Sequence, residues 1–297
     1  MRFEINFGRI PVSRTVAFVC SIFWALLLYG SAHAEPAAIP FQQGERLSFQ
    51  IFWSFIPAAH VSLEVVPVEQ GLNEAPAQPQ PGLNSASAED GASGAAYHFI
   101  LTARTLPVVD LIYKYRERID SYVAGNVQHS LLYKKVQESS HPRDIVVQFD
   151  WDKGVARYAN YGKASPSIAI QPGTVDPLAA LYYIRTQALN GEFNLEQWVT
   201  DGKKLSRGKA RFIQKETLSI QGKTYQTIKI EPDLQDVGGV FEKSPGAEMF
   251  IWVTDDDRKI LVKLKSKVVV GSFVAELLEE ESVIPGVEKP MHPSSGY

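Results

Sequence analysis

Hydrophobic and polar residues alternate along most of the chain with the two-residue period of a β-strand. In the first such run Leu47, Phe49, Ile51 and Trp53 alternate with Arg46, Ser48 and Gln50. Runs of the same kind follow at 61–65, 97–103, 145–151, 212–220, 228–230, 251–253 and 260–264. Strands with one apolar face are typical of an antiparallel sheet that is covered on one side.

Turn-forming residues separate these runs at Asp152–Gly154, Gln221–Lys223 and Asp255–Asp257. A two-residue turn is also predicted at Gly271–Ser272. This turn would place Lys267 opposite Glu276 and Lys263 opposite Glu280 as cross-strand ion pairs. The lysine face of this hairpin is therefore predicted to be a solvated surface. The alternative is that the lysines bind anionic lipids.

One helix is predicted between Pro177 and about Ala188. Asp176 is a suitable N-cap, and proline is well tolerated at the first helical position. The apolar residues of one helix face follow at helical spacing, namely Leu178, Leu181 and Tyr182. A shorter helical turn is predicted at 107–113.

The ratio of strands to helices sets the expected fold. One helix is about 10 Å wide, whereas about ten strands spaced about 4.8 Å apart form a much wider sheet. The sheet must therefore curl for the helix to cover it. We predict a mainly β protein, in which a single large curved antiparallel sheet, a half-barrel or open barrel, wraps around one main α-helix.

The N-terminus has the pattern of a secretory signal peptide. The first 14 residues carry three arginines and one acidic residue, an apolar run follows at 15–29, and Ala32-His33-Ala34 forms a cleavage site. We expect residues 1–34 to be removed, so that the mature protein begins at Glu35 in the periplasm. An uncleaved anchor and lipid attachment at Cys20 are the alternatives.

The mature chain is expected to be one β-rich exported domain at 35–284. The segment 68–96 interrupts the strand pattern, is rich in proline, alanine and glycine, and contains few large apolar residues. It is predicted to be a disordered insertion, and the segment 285–297 a flexible tail. No other apolar run is long enough to span a bilayer as a helix.

Composition and motifs exclude several classes of function. The 297 residues carry a formal net charge of −3, which argues against a nucleic-acid partner. The histidines lack the spacing of metal ligands, the single cysteine lies in the signal peptide, and no nucleophile motif of a hydrolase occurs. We therefore expect no catalytic residues, no metal and no cofactor, with an enzyme built from dispersed residues as the remaining alternative.

Several motifs together resemble the DUF3108 family of exported proteobacterial proteins of unknown function. They are Pro40-Phe41-x-x-Gly44-Glu45-Arg46-Leu47, Ile56-Pro57-Ala58, Asp110-Leu111-Ile112-Tyr113-Lys114, Arg118-Ile119-Asp120-Ser121-Tyr122, Asp176 to Tyr183, Trp252 to Asp256 and Gly271-Ser272-Phe273. The resemblance covers nearly the whole mature chain and implies an exported antiparallel sheet protein without an assigned activity. A more distant, fold-level similarity is to half-barrels that carry lipoproteins and lipids across the periplasm.

These observations favour a non-enzymatic binding or carrier protein for a hydrophobic or lipid-like ligand in the cell envelope. Ligand pockets are usually apolar with few polar groups. The residues predicted to line such a cavity are Phe49, Ile51, Trp53, Phe99, Phe149, Trp151, Leu178, Leu181 and Tyr182. These residues would equally suit a filled core. The alternative function is an envelope assembly or scaffold factor that acts through protein–protein contacts.

A polar rim for this ligand is predicted from Tyr113, Arg116 and Arg118. If a strand begins at Tyr113, the two arginines share its outer face. Arginine and tyrosine can bind carboxylate or phosphate head groups. A row of structural ion pairs on an outer face is the competing interpretation.

Overall fold

Strands make up most of the chain that the computed structural model describes, which comprises residues 39–68, 94–233, 247–268 and 271–282. The elements are β1 (Glu45–Trp53), β2 (Ile56–Val66), β3 (Tyr97–Thr105), α1 (Pro107–Asp110), β4 (Arg116–Ala124), β5 (His129–Glu138), β6 (Arg143–Asp150), β7 (Val155–Asn160), β8 (Lys163–Ala164), β9 (Ile168–Ala169), α2 (Pro177–Thr186), β10 (Asn194–Thr200), β11 (Leu205–Ile220), β12 (Lys223–Pro232), β13 (Glu248–Thr254), β14 (Leu261–Val268) and β15 (Gly271–Ser282). The predicted signal peptide, the predicted tail and nearly all of the predicted insertion lie outside the described residues.

All of these strands belong to one antiparallel sheet, as the alternating pattern predicts. Its order is β10-β11-β12-β13-β14-β15-β1-β2-β3-β4-β5-β6-β7-β8, and β9 pairs with β7. The sheet consists of two meanders, which are joined where β1 pairs with β15. It is not closed into a barrel.

The sheet curls so that the turn between β10 and β11, at one end of the strand order, approaches β6 and β7. A Cβ atom added to Gly202, in the turn between β10 and β11, would lie 2.7 Å from the side chain of Val147 in β6. The ammonium group of Lys203 lies 4.9 Å from the centre of the Tyr158 ring in β7. On the outer edge of β10, Val199 forms a parallel bridge with Val175. The predicted curved sheet is therefore confirmed.

The helix α2 covers the inner face of the curved sheet. Its buried side chains are Leu178, Ala179, Tyr182 and Arg185. The predicted end near Ala188 is wrong, because Gln187 is already extended, with φ −84° and ψ 153°, and the chain then buries Leu189 in the core. In the described part of the chain, no helix has the length and apolar character needed to cross a bilayer.

The predicted register of the last hairpin is also wrong. Gly271 is not in the turn but pairs with Val268 inside the ladder. Lys263 consequently lies opposite Glu276, with 2.8 Å between Nζ and Oε1. Gly271 instead lies against β1, where a Cβ atom would lie 2.7 Å from the indole nitrogen of Trp53. This glycine permits a close approach between strands, which the turn prediction did not consider.

Candidate functional site

The apolar residues predicted to line a cavity lie mostly in the packed core. Phe49, Phe99, Leu178 and Tyr182 are almost completely buried, and the rings of Phe99 and Tyr182 stack with their centroids 3.8 Å apart. The other predicted residues that join this cluster are Ile51, Phe149, Trp151 and Leu181. Trp53 lies apart at the end of β1, half exposed. The role of these residues as ligand contacts stays a prediction.

Asp176 connects the start of α2 to the sheet. Its Oδ1 atom accepts hydrogen bonds from the backbone N–H groups of Leu178 (2.9 Å) and Ala179 (3.0 Å), which confirms the predicted N-cap. Its Oδ2 atom accepts from the hydroxyls of Ser121 (2.5 Å) and Ser130 (2.6 Å). Burial raises the pKa of Asp176, while the four hydrogen bonds oppose that rise. The carboxyl group is therefore fully occupied by structural contacts.

Arg185 fixes the other end of α2. It is 3% exposed, and its two terminal nitrogens donate to the carboxylate of Glu45 at 2.6 and 2.9 Å. One of these nitrogens also donates to the backbone carbonyls of Pro40 (3.1 Å) and Arg258 (3.0 Å). This buried ion pair holds α2 against β1 and the turn before β14.

Large apolar side chains are exposed at one end of the sheet, on two neighbouring connections. The exposed fraction is 95% for Phe55, 86% for Leu111 and 92% for Ile112. We call this surface the apolar tip, and its members are Trp53, Phe55, Ile56, Val108, Leu111, Ile112 and Tyr113. The described residues contain ten exposed large apolar side chains, and seven of them are in the apolar tip. Such clustering marks an interaction surface more often than scattered exposure does.

Backbone contacts hold the two connections of the apolar tip beside each other. Since β2 pairs with β3, with Ala59 opposite Thr105, the β1–β2 turn and the β3–β4 connection leave the sheet at the same end. The N–H of Leu106 donates to the carbonyl of Ala58 at 2.9 Å, just before α1 begins. On the other side, the N–H of Ser54 donates to the carbonyl of Ser272 at 2.7 Å. The apolar tip is therefore supported by the sheet.

A groove of about 490 Å³ crosses the outer face of β1 to β4, next to the apolar tip. We call it the arginine groove. One row of its lining consists of Ser48, Ser62 and Thr102, which lie opposite one another across three strands. The basic side chains that line it are Arg46, His60, Arg104, Arg116 and Arg118. The groove thus combines short hydroxyl side chains with long basic ones.

Carboxylates partner three of the four arginines of the arginine groove. Arg46 lies 3.8 Å from Glu64, Arg116 forms a two-pronged pair with Asp110, and Arg118 donates twice to Asp120, at 3.0 and 2.9 Å. Among the described residues, Arg104 forms neither an ion pair nor a side-chain hydrogen bond. One positive charge is therefore left without a counter-charge in the described part of the chain.

The pair between Asp110 and Arg116 gives a prediction about protonation. Hydrogen bonds from Arg116 and Thr105 lower the pKa of Asp110 to about 2. In the variant Arg116→Gln we expect this pKa to rise toward the ordinary value of about 3.9, as measured by carboxyl-carbon NMR during an acid titration. Because the folded-state pKa is lowered, the pair's contribution to stability is present above about pH 4 and is lost as the pH falls through about 2. An unchanged titration in Arg116→Gln would contradict this assignment.

The three residues of the predicted polar rim lie on two different surfaces, and their role in ligand binding stays a prediction. Arg116 and Arg118 share the outer face of β4, as predicted, and both line the arginine groove. The strand does not begin at Tyr113 but at Arg116, because α1 and the residues after it occupy the connection. Tyr113 is therefore on the apolar tip and not in the groove lining. The two arginines form the predicted ion pairs and also line an open groove.

Sequence reasoning missed Arg104, His60 and the three hydroxyl residues of the arginine groove. These residues belong to three different strands, and the register that brings them together depends on which strands pair. It also missed the exposure of Phe55 and Ile112. A signal for this exposure was present, since Phe55 and Ile112 both lie between predicted strand runs, where large apolar side chains are uncommon.

The remaining chemistry-bearing groups are used inside the fold. No group of three or more His, Cys, Asp or Glu side chains that could hold a metal occurs within the described ranges. His98 and Asp120 form a hydrogen bond of 3.0 Å, but His98 is completely buried and stacks on Tyr122 with 4.2 Å between ring centroids. We assign this pair a structural role on the outer face of the sheet.

Comparison with solved structures finds proteins of low sequence identity. A beta-barrel-like protein with the domain of unknown function DUF1849, from Brucella abortus, is 8% identical with a TM-score of 0.48, and the match covers 80% of this chain and 97% of that chain. A candidate lipoprotein from Parabacteroides distasonis is 10% identical with a TM-score of 0.28, over 83% of this chain and 100% of that chain. Among curated proteins there is no match.

A family model settles the relationship that the motifs indicate. It matches residues 84–278, which comprise more than half of the chain and all of the strands from β3 to β14. The description of that family is a protein of unknown function, and it indicates no catalytic activity. The chain belongs to the DUF3108 family.

Proposed function

We propose that this protein is a non-enzymatic binding protein of the periplasm, and that it engages a lipid-like ligand through the apolar tip. The observation that carries the proposal is the exposure of seven large apolar side chains on two adjacent connections. Each such side chain gains roughly 1.5–3 kcal/mol when it leaves water completely. Almost none of this free energy is gained within the described chain by Phe55, Leu111 and Ile112, because these side chains remain exposed to water.

The surroundings of the apolar tip favour lipid over a protein partner. Arg104 is exposed beside it, and Lys114, which follows Tyr113 directly, is also exposed. Basic residues next to apolar ones match the chemistry of a membrane surface with anionic lipids. Trp53 and Tyr113 are half exposed at the tip, and such amphipathic rings are favoured at the boundary between lipid and water.

The packing of the inner face favours the apolar tip over the core as the place of binding. Phe99 and Tyr182 are in ring contact with each other, and Phe41 meets both rings edge-on at 5.4 and 5.3 Å. A ligand between the sheet and α2 would have to separate these rings. Binding at the tip requires no such rearrangement.

Binding to lipid vesicles tests the proposal. We expect the mature protein to float with vesicles of phosphatidylcholine and phosphatidylglycerol, and the double variant Phe55→Ser/Ile112→Ser to bind about 100-fold more weakly, because two apolar side chains no longer leave water. The matched control is Leu278→Ser, which changes an exposed apolar residue on β15. The unfolding temperature of each variant verifies that the fold is retained.

The opposite results are equally informative. If the wild-type protein does not bind vesicles, or if the double variant binds as well as the Leu278→Ser variant, the lipid proposal is wrong. A protein partner crosslinked in cells through a photoreactive group at position 55 would then support the envelope assembly factor.

A further inference from the structure

The middle of the arginine groove contains a row of basic groups that the fold alone does not explain. Across β2, β3 and β4, His60 lies opposite Arg104, and Arg104 lies opposite Arg116. Like charges directly opposite each other in an antiparallel sheet are destabilising. Arg116 pairs with Asp110 and lies opposite Glu138 of β5, whereas Arg104 has no carboxylate partner among the described residues.

The shape of the arginine groove suits an anionic group. Next to the basic row lie Ser48, Ser62 and Thr102, whose side chains are too short to fill the space between the arginines. Thr102 and Ser62 are joined by a hydroxyl–hydroxyl hydrogen bond of 2.7 Å, and Ser62 donates to Glu64 at 2.9 Å. The hydroxyl row is thereby ordered and leaves an open trough beside Arg104.

We propose that the arginine groove is a binding site for a phosphate group, with Arg104 as its principal ligand and Arg116 and His60 beside it. Guanidinium groups bind phosphate with paired, charge-assisted hydrogen bonds. The four arginines are opposed by Glu64, Asp110 and Asp120. Glu117, which also lines the groove, pairs with Lys135, and Glu138, opposite Arg116, pairs with Lys114. One positive charge is left, which a single negative charge, as on a phosphodiester, would neutralise. The hydroxyl of Ser48 can donate to a remaining phosphate oxygen, whereas the hydroxyl hydrogens of Ser62 and Thr102 are used within the row, toward Glu64 and Ser62.

The groove adds a headgroup site to the proposed lipid-binding function. The assignment of the phosphate to a lipid rests on that proposed function. Asp110 of α1 pairs with Arg116 in the groove, while Leu111 and Ile112, the next two residues, are on the apolar tip. A phospholipid whose phosphate is bound in the groove would thus have its acyl chains beside the tip. A free phosphate-bearing solute would use the groove without the tip.

Phosphate binding is tested first without lipid. Inorganic phosphate and glycerol 3-phosphate are titrated into the mature protein by calorimetry. We expect Arg104→Gln to weaken binding of both about tenfold and Arg104→Lys to weaken it less, because the charge is kept. The matched control is Arg211→Gln in β11, which removes an exposed arginine far along the sheet order. If neither probe binds the wild-type protein, or if Arg104→Gln binds them normally, the site is overturned.

Vesicles then distinguish the source of the phosphate. For a lipid headgroup, Arg104→Gln should lose the preference for phosphatidylglycerol over pure phosphatidylcholine vesicles, while Phe55→Ser/Ile112→Ser should lose binding to both. If Arg104→Gln weakens binding of the soluble probes but keeps the wild-type vesicle preference, the groove takes a soluble phosphate compound. A third outcome would refute the phosphate site and leave the proposed function standing. In that outcome the soluble probes do not bind, the tip variant loses vesicle binding, and Arg104→Gln binds vesicles like the wild-type protein.

Discussion

Replacing Glu45 with alanine is expected to lower the free energy of unfolding by about 3–5 kcal/mol. The variant leaves the guanidinium group of Arg185 buried without a counter-charge, since this side chain is 3% exposed and makes its two charged hydrogen bonds to Glu45. Urea unfolding followed by tryptophan fluorescence measures the loss. An unchanged slope with urea concentration would show that the fold itself is retained.

An exposed ion pair provides the matched control for this variant. Glu231 pairs with Arg211 on the surface of β11 and β12, and Glu231→Ala should cost less than about 1 kcal/mol. If Glu45→Ala costs no more than Glu231→Ala, then the backbone carbonyls of Pro40 and Arg258 satisfy Arg185 without the carboxylate. In that case α2 is held mainly by its apolar face.

The second large effect is expected at Asp176. Replacing it with alanine removes the N-cap of α2, which contributes about 1–2 kcal/mol, and leaves the buried hydroxyls of Ser121 and Ser130 without their acceptor. Such unsatisfied groups each cost about 1–3 kcal/mol. We therefore expect the free energy of unfolding to fall by at least about 3 kcal/mol, the lower limit of these contributions together.

Two further variants separate the contributions at this position. Asp176→Asn keeps an oxygen for the backbone N–H groups of Leu178 and Ala179, so it should lose less than Asp176→Ala. Asp201→Ala is the control, because Asp201 is exposed and its Oδ1 accepts one backbone bond, from Lys203 at 3.0 Å. Equal losses for Asp176→Ala and Asp201→Ala would show that the carboxylate does not anchor the helix.

Local patterns in the sequence predicted the elements well. The alternation from Leu47 to Trp53 became β1, and the Asp176–Pro177 pair became a helix start with the expected cap bonds. These features depend on interactions within a few residues, namely side-chain alternation and a cap. The curved sheet followed because one helix cannot cover a wide sheet.

Features that depend on contacts between distant strands were not predictable in this way. The strand β15 pairs with β1 as well as with β14, and its Gly271 lies close to Trp53 of β1, a contact between distant strands that turn chemistry does not include. The arginine groove likewise depends on the pairing of β2, β3 and β4, which brings His60, Arg104 and Arg116 into one row. The shared outer face of Arg116 and Arg118 was predictable because both lie on one strand.

The pairing of β1 with β15 has a consequence for how the chain acquires its structure. Each meander can form from hairpins between strands that are neighbours in the chain, and such local pairing is fast. The seam between the two meanders is the pairing of β1 with β15, the first strand with the last. Pairing across such a sequence separation slows folding. During synthesis, β1 therefore presents an open edge, from Glu45 to Trp53, until β15 arrives. An open edge recruits strands from other chains, so this seam is where we expect newly made molecules to aggregate or to need a chaperone.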